Sequence, residues 1–308
     1  MTKPKGKVII AGGSGFLGQK LACSLIEEGF EVMILGRREK SGLKGEFVQW
    51  DAKNLGDWLH ELEGATAIFN LTGRSVDCRY TEENKSLILN SRVDSTKVLG
   101  EAIRLCDNPT AVWLNASTAT IYNDRRGDLP AHDEHSEGNA EGFSEEVGRA
   151  WEKAFFDADV EGVRQVSMRI SIVLGNGGGA FPVMRRLTKF GLGGKQGPGD
   201  QWISWLHIAD WVGIAKFLMK NSSISGPVNL AAPNPVTNKE FMSEMRAVFA
   251  PLGIGFPAPC PAIYLGAILM GTSPELVLKS RKVISSVLSK QNFQFKYPEV
   301  HSAINALK

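Results

Sequence analysis

Cysteine is scarce in this chain: four among 308 residues, at positions 23, 78, 106 and 260. None forms a Cys-x-x-Cys pair or sits in a His/Cys cluster, which speaks against structural zinc and any metal site. Reduced thiols and a cytoplasmic location are the simplest expectation. Charge of one sign is missing too. Lys+Arg number 35 and Asp+Glu 33, with the basic residues scattered, so no nucleic-acid or membrane-surface partner is expected. Long apolar runs are absent. The most apolar late stretch, 262–271, is too short to span a bilayer and lies between Pro261 and Pro274. The basic N-terminal stretch 1–7 leads into an apolar run that reads as a strand rather than a signal peptide. There is no repeat and no low-complexity tail. What remains is ordinary globular composition, with room for one large domain or a core domain plus a small lobe.

The most informative residues come early. An apolar run, 7–11, leads straight into Gly12-Gly13-Ser14-Gly15-Phe16-Leu17-Gly18, and a helical pattern follows over 19–28. Glycines let the backbone approach a diphosphate, and the free N–H groups and dipole of the helix start favour the anion. The pattern fits Gly13-x-Gly15-x-x-Gly18 and Gly12-x-x-Gly15-x-x-Gly18. An ordinary Gly-rich turn is the plain alternative, but its place between a strand and a helix favours a dinucleotide site.

The second strand, 31–35, ends in Gly36-Arg37-Arg38. A site for NAD usually has an acid here for the ribose 2′-hydroxyl, whereas an arginine suits a 2′-phosphate. Two arginines and no acid favour NADP(H) over NAD(H). A solvated basic turn is the plainer reading of the same residues.

Short buried strands are expected at 8–11, 32–35, 47–50, 67–71, 112–116 and 165–170, with helices at 19–28, 55–62, 82–105 and 145–158. Such alternation implies an α/β fold, a Rossmann-type doubly wound parallel sheet, whose ligand lies beyond the carboxyl ends of the strands. After about residue 175 the texture turns loop-rich, and a Pro-rich stretch, 251–261, separates two helical segments. The expected division is a cofactor domain over 1–174 and a smaller substrate-side lobe over 175–308. The lobe returns elements to the sheet, with a strand at Val228-Asn229-Leu230.

Asn115-Ala116-Ser117-Thr118-Ala119-Thr120-Ile121-Tyr122 follows a central strand. It resembles the Ser/Thr motif of the extended short-chain dehydrogenase/reductases, the sugar-nucleotide epimerases and dehydratases. The resemblance extends to the glycine turn, Asp51, Leu71-Thr72-Gly73, the 169–175 segment and His207-Ile208-Ala209-Asp210. In that family a hydroxyl and a tyrosine grip the substrate oxygen. A lysine four residues after the tyrosine lowers its pKa while hydride moves at the nicotinamide. Here the pattern breaks: the tyrosine position carries Phe143 and the lysine position Val147, and no Tyr-x-x-x-Lys occurs anywhere in the chain. Phe143-Ser144, Trp151-Glu152-Lys153-Ala154, Gly177-Gly178-Gly179-Ala180 and Gln201-Trp202-Ile203-Ser204-Trp205 resemble an atypical epimerase-family branch. Its members end in a C-terminal domain of unknown function, matched here by Pro274, Ser280-Arg281-Lys282-Val283 and Phe293-Gln294-Phe295.

The resemblance implies cofactor contacts at Gly12, Ser14, Gly15, Phe16, Leu17, Gly18, Gly36, Arg37, Arg38, Asp51, Leu71, Thr72, Gly73, Arg92 and Val173. The catalytic candidates are Ser117, Thr118 and Tyr122, with Tyr122 reading at least as readily as packing. Glu152 reads more readily as a salt-bridge partner than as an acid, and His207 as structural, with Asp210 as N-cap of the next helix. Arg74 could meet an anionic substrate, and Trp202 and Trp205 could wall the lobe, with aromatic core as the default reading of both. Three functions stay open: an NADP(H)-dependent oxidoreductase of atypical mechanism on a small carbonyl or sugar-like compound, a non-catalytic NADPH-binding sensor or scaffold, and a sugar-nucleotide epimerase. The family often pairs through helices beside the cleft, which implies a homodimer.

Overall fold

Val8, Ile9, Ile10 and Ala11 have no exposed surface, as befits a strand covered on both faces. The computed structural model describes residues 4–250 and 252–308. Residues 1–3 of the basic N-terminal stretch and Pro251 of the Pro-rich stretch lie outside the described residues. The strands are β1 (Lys7–Ala11), β2 (Glu31–Gly36), β3 (Glu46–Gln49), β4 (Ala67–Asn70), β5 (Val112–Thr118), β6 (Arg164–Ile170), β7 (Ile172–Leu174), β8 (Trp202–Ile203), β9 (Trp205–His207), β10 (Gly226–Leu230) and β11 (Val236–Thr237). The helices are α1 (Phe16–Glu27), α2 (Glu82–Arg104), α3 (Phe143–Phe156), α4 (Phe181–Lys189), α5 (Ile208–Lys220), α6 (Asn238–Phe249), α7 (Cys260–Met270), α8 (Glu275–Leu278), α9 (Ser286–Lys290) and α10 (Val300–Asn305).

Seven strands form one parallel sheet in the order β10-β6-β5-β4-β1-β2-β3. The chain runs outward from β1 to β3, then returns to β4 and runs the other way. The switch point therefore lies between β1 and β4, where such sheets bind ligands. One face is covered by α1 and α5 through Leu21, Leu25, Trp211, Ile214 and Leu218. The other carries α2 and α3 through Leu99, Ile103 and Phe155, with Trp58. A third core, built on Phe181, Trp205, Phe241, Met245 and Ile304, holds the later segments together.

Some local expectations change. The segment expected as a helix over 55–62 is a 3-10 helix, Asp57–Leu62, entered from an extended Gly56. Helix α3 begins at Phe143, two residues before its expected start, because Gly142 adopts φ 127 and breaks the preceding chain. The N-cap of α5 is His207, whose Nδ1 accepts the N–H of Ala209. Asp210 instead lies in the first turn and accepts the N–H groups of Lys296 and Tyr297 (2.6 and 3.0 Å). The apolar stretch 262–271 lies mostly within α7, and among the described residues no helix is long and apolar enough to cross a membrane.

Candidate active site

The β1–α1 turn is shaped by what surrounds each glycine. Gly12 sits at φ +72, and a Cβ there would lie 2.8 Å from the N of Thr72. The turn is thus pressed against the end of β4. A Cβ on Gly18 would lie 2.5 Å from the Cα of Gly13, so the helix and the turn before it pack backbone to backbone. Gly15 differs: a Cβ there would meet nothing closer than the Gly12 carbonyl oxygen at 3.6 Å. The first backbone bond into α1 runs from Gln19 N to Gly15 O. The N–H groups of Phe16, Leu17 and Gly18 therefore have no helical partner, the usual condition of a helix start and one suited to an anion. The Phe16 ring lies against Gly175, Gly177 and Gly178. Lys40 Nζ donates to Ser14 O and adds positive charge beside the turn.

At the end of β2, Arg37 and Arg38 are exposed, and among the described residues they make no hydrogen bond or ion pair. Arg37 lines an open groove of ≈ 540 Å³ with Trp50, Asp51, Asn54, Leu55 and Trp58. Trp50 and Trp58 pack edge to face at 5.2 Å as part of its wall. Asp51 shares the groove, but its carboxylate accepts the N–H groups of Lys53 and Asn54 and the Asn54 side-chain amide. These bonds hold its pKa below the ordinary value.

At the end of β4, Leu71 N donates to Ala11 O and Thr72 N to Asn70 Oδ1. The Thr72 hydroxyl is buried without a partner. The Arg92 guanidinium lies over Trp151 at 5.0 Å and donates through Nη1 to Arg74 O and Ile88 O. It meets no carboxylate among the described residues. Burial brings its pKa down to about 10, so it stays charged at neutral pH. A Cβ on Gly73 would lie 3.1 Å from its Cζ, which leaves that side open only to glycine. Val173 on β7 is buried, and its carbonyl faces Gly179. The candidates from the glycine turn, the ends of β2, β3 and β4, and α2 thus gather at one edge of the sheet.

The end of β5 separates the three catalytic candidates. Ser117 Oγ donates to Glu152 Oε1 (2.7 Å). Glu152 also accepts from Ser167 Oγ (2.9 Å) and from Arg169 through Nε (2.8 Å) and Nη2 (2.7 Å). Arg169 Nη1 donates to Tyr122 Oη, which donates to Asn229 Oδ1. Tyr122 has no exposed surface and stacks on His132 at 5.0 Å. Ser117 and Tyr122 therefore belong to a buried polar network joining β5, α3, β6 and β10. Burial works against the Arg169 charge, but the bonds and charge of Glu152 hold its pKa above the ordinary value. Thr118 alone is partly exposed, with its hydroxyl 2.6 Å from that of Thr120. Phe143 begins α3, and Val147 is buried.

Glu152 is thus an ion-pair partner. His207 is a cap, buried, with Nε2 unpartnered and its ring 4.0 Å from Tyr297. Burial, then the charge of Lys296, depress its pKa to about 4. Trp205 is fully buried in the third core, and Trp202 lies under Lys282 Nζ at 4.0 Å. Arg74 is exposed and donates to Asn84 Oδ1. Sequence reasoning gave no role to Arg169 or Asn229. Asn229 had one signal, polarity between Val228 and Leu230, whereas Arg169 is one of four polar residues in β6 and had none.

The family model for the NAD dependent epimerase/dehydratase family matches residues 8–231. The chain belongs to that family. A domain of unknown function (DUF1731) matches residues 260–307. The chain is 31% identical over 303 residues to the epimerase family protein YfhF of Bacillus subtilis (strain 168), covering 97% of each chain. Among solved structures it is similar to human epimerase family protein SDR39U1 (isoform 2) with NADPH, at 28% identity and TM-score 0.84, over 98% of each chain. It is also similar to a nucleoside-diphosphate sugar epimerase from Corynebacterium glutamicum, at 30% identity and TM-score 0.79. That match covers 99% of this chain but 58% of that one. The chain is accordingly an NAD(P)-binding protein of the extended short-chain dehydrogenase/reductase type.

Proposed function

We propose that this protein is an NADP(H)-dependent oxidoreductase of atypical mechanism, acting on a small carbonyl or sugar-like compound. The observation that carries the cofactor choice is the groove beside β2. Arg37 is exposed there without a partner, while of the two acids of the same groove Asp51 is taken up by its own turn and Asp57 stands in the first turn of the 3-10 helix. A free guanidinium suits a 2′-phosphate, and an occupied carboxylate does not suit a ribose 2′-hydroxyl. The human relative was solved with NADPH, which supports the same choice.

The residues fit the group. The free N–H groups of Phe16, Leu17 and Gly18, with the open face at Gly15, suit the diphosphate, together with Ser14 and Gly12. Arg37 and Arg38 suit the 2′-phosphate beside Gly36, and Asp51 would border the adenine end. Leu71, Thr72, Gly73, Arg92 and Val173 would hold the nicotinamide half. When bound, the cofactor supplies or accepts a hydride. Thr118, relayed to Thr120, polarises the substrate oxygen, whereas Ser117 and Tyr122 hold the strand end from behind.

A second reading rests on Phe143 and Val147, which carry neither a proton nor a charge: a non-catalytic NADPH-binding sensor or scaffold. We place the protein in the cytoplasm, in keeping with four free cysteines, and expect a homodimer formed through α2 and α3. Calorimetric titration with NADPH and NADH, repeated on Arg37→Ala, tests the cofactor choice. Tight NADPH binding that weakens in the variant supports it, and equal or absent binding of both nucleotides overturns it. Turnover of a carbonyl with NADPH separates enzyme from sensor. An epimerase would instead interconvert a sugar nucleotide with the cofactor retained through purification.

A further inference from the structure

The chain has four tyrosines, and three are accounted for. The Tyr122 hydroxyl is bonded to Arg169 and Asn229, Tyr297 rests on His207, and Tyr264 is exposed on α7. Tyr80 is different. It lies between β4 and α2, and its ring meets Phe143 edge to face with centroids 5.1 Å apart. Its hydroxyl is buried and has no hydrogen-bond partner. The Ser144 hydroxyl lies close by but donates to Glu275. Position 143 is where the family's tyrosine would stand. A phenol has thus returned beside the position that lost one, carried by another element, with the Ser144 hydroxyl as its polar neighbour.

We propose that Tyr80 is the acid that position 143 lacks, protonating the substrate oxygen polarised by Thr118. This rests on the oxidoreductase reading above. The carbonyl carbon accepts a hydride from NADPH, and the C=O electron pair moves onto oxygen. That oxygen takes the proton of Tyr80 Oη, NADP⁺ remains, and water reprotonates the tyrosinate. Residues 73–77 are exposed and outside regular structure, tied to α2 through Ser91, Asn84 and Arg92, and in this proposal the substrate displaces them to reach the hydroxyl. The groups acting on the phenol come from every side. Burial, then Glu275 of α8 and Cys78 of the same loop, push its pKa up, while Ser144 of α3 and Arg92 of α2 pull it down. Lys85 Nζ lies 5.8 Å from the Phe143 ring centroid.

Tyr80→Phe keeps the ring against Phe143 and removes only the hydroxyl. The first readout needs no substrate: tyrosinate absorbance is titrated for wild type and variant, with and without saturating NADP⁺. The component missing from the variant should ionise above the ordinary tyrosine value. It should fall by about one pH unit or more when the cationic nicotinamide is bound beside it. The second readout is NADPH oxidation by 4-nitrobenzaldehyde. Tyr80→Phe should lose about 10²–10⁴-fold in kcat with NADPH affinity unchanged, and Tyr80→Phe/Phe143→Tyr should regain part of it. If NADP⁺ binds but leaves the Tyr80 titration unmoved, or if Tyr80→Phe reduces the aldehyde at the wild-type rate, the proposal is overturned and the cofactor reading stands. If NADP⁺ does not bind, or wild type reduces no aldehyde, the oxidoreductase reading falls and takes this proposal with it.

Discussion

Ser117 Oγ donates to Glu152 Oε1 across 2.7 Å, so the hydroxyl faces the interior, whereas its neighbour Thr118 is partly exposed. Adjacent residues on an extended strand point to opposite faces, and the two hydroxyls therefore do different work.

Ser117→Ala should lower stability by about 1–3 kcal/mol, since it leaves a buried carboxylate one donor short, with NADPH affinity unchanged. Thr118→Val should leave the melting temperature near wild type and lower carbonyl turnover about 10²-fold or more, as expected for loss of a donor to the reacting oxygen. Urea unfolding and steady-state kinetics on both variants check the contrast; equal loss of activity would remove the distinction.

Glu152→Ala should be far more damaging to the fold. It leaves the Arg169 guanidinium in the interior with no counter-charge, a change that costs about 3–5 kcal/mol. Replacing both residues with methionine should recover much of that loss, because neither charge is then stranded. Denaturant midpoints for single and double variants decide the matter, and additive losses would contradict it.

The glycine turn offers two opposite outcomes. Gly15 has φ −84 and open space where a side chain would go, so Gly15→Val should fold. Its side chain would stand in the path of the diphosphate and weaken NADPH binding by a factor of about ten or more, the equivalent of about 1.4 kcal/mol. Gly18→Ala has a Cβ 2.5 Å from the Gly13 Cα and should reduce the melting temperature even without nucleotide. Thermal melts paired with NADPH titration separate these effects.

His207 carries a pH signature. Its folded pKa is depressed to about 4 from the ordinary 6.5, so the unfolded chain binds more protons between those values. Its contribution is therefore complete above pH 6.5, declines as pH falls toward 4 and is gone below it, amounting to at most about 3 kcal/mol. His207→Asn keeps a capping side chain and should flatten this part of the stability–pH curve. Unfolding free energies measured across that range would show an unchanged slope if the assignment is wrong.

The parts legible in sequence were those where local chemistry restricts residue type. A backbone that must approach a diphosphate needs glycine at positions 12, 15 and 18, and an apolar strand before them. The buried network was not legible, because Glu152, Arg169, Tyr122 and Asn229 come from four segments and meet only after the sheet has formed. The cap of α5 was misassigned because histidine and aspartate both accept from an N–H. Only the docking of Lys296 and Tyr297 on Asp210 decides between them. At 55–62 an apolar spacing suited to a helix gave a tighter 3-10 turn, where the chain must bring Trp58 onto Trp50.

Strand β10 comes from beyond residue 174, yet it pairs with β6 along five residues, from Gly226↔Val166 to Leu230↔Ile170. The nucleotide-facing half of the chain is consequently not portable. Cut at 174, it would present β6 as a bare edge of unpaired amides, open to another chain. Tyr122 would also lose the amide of Asn229 that accepts its proton. Any change that loosens the C-terminal half should be felt as a loss of order at the floor beneath Thr118, some distance from where it was made.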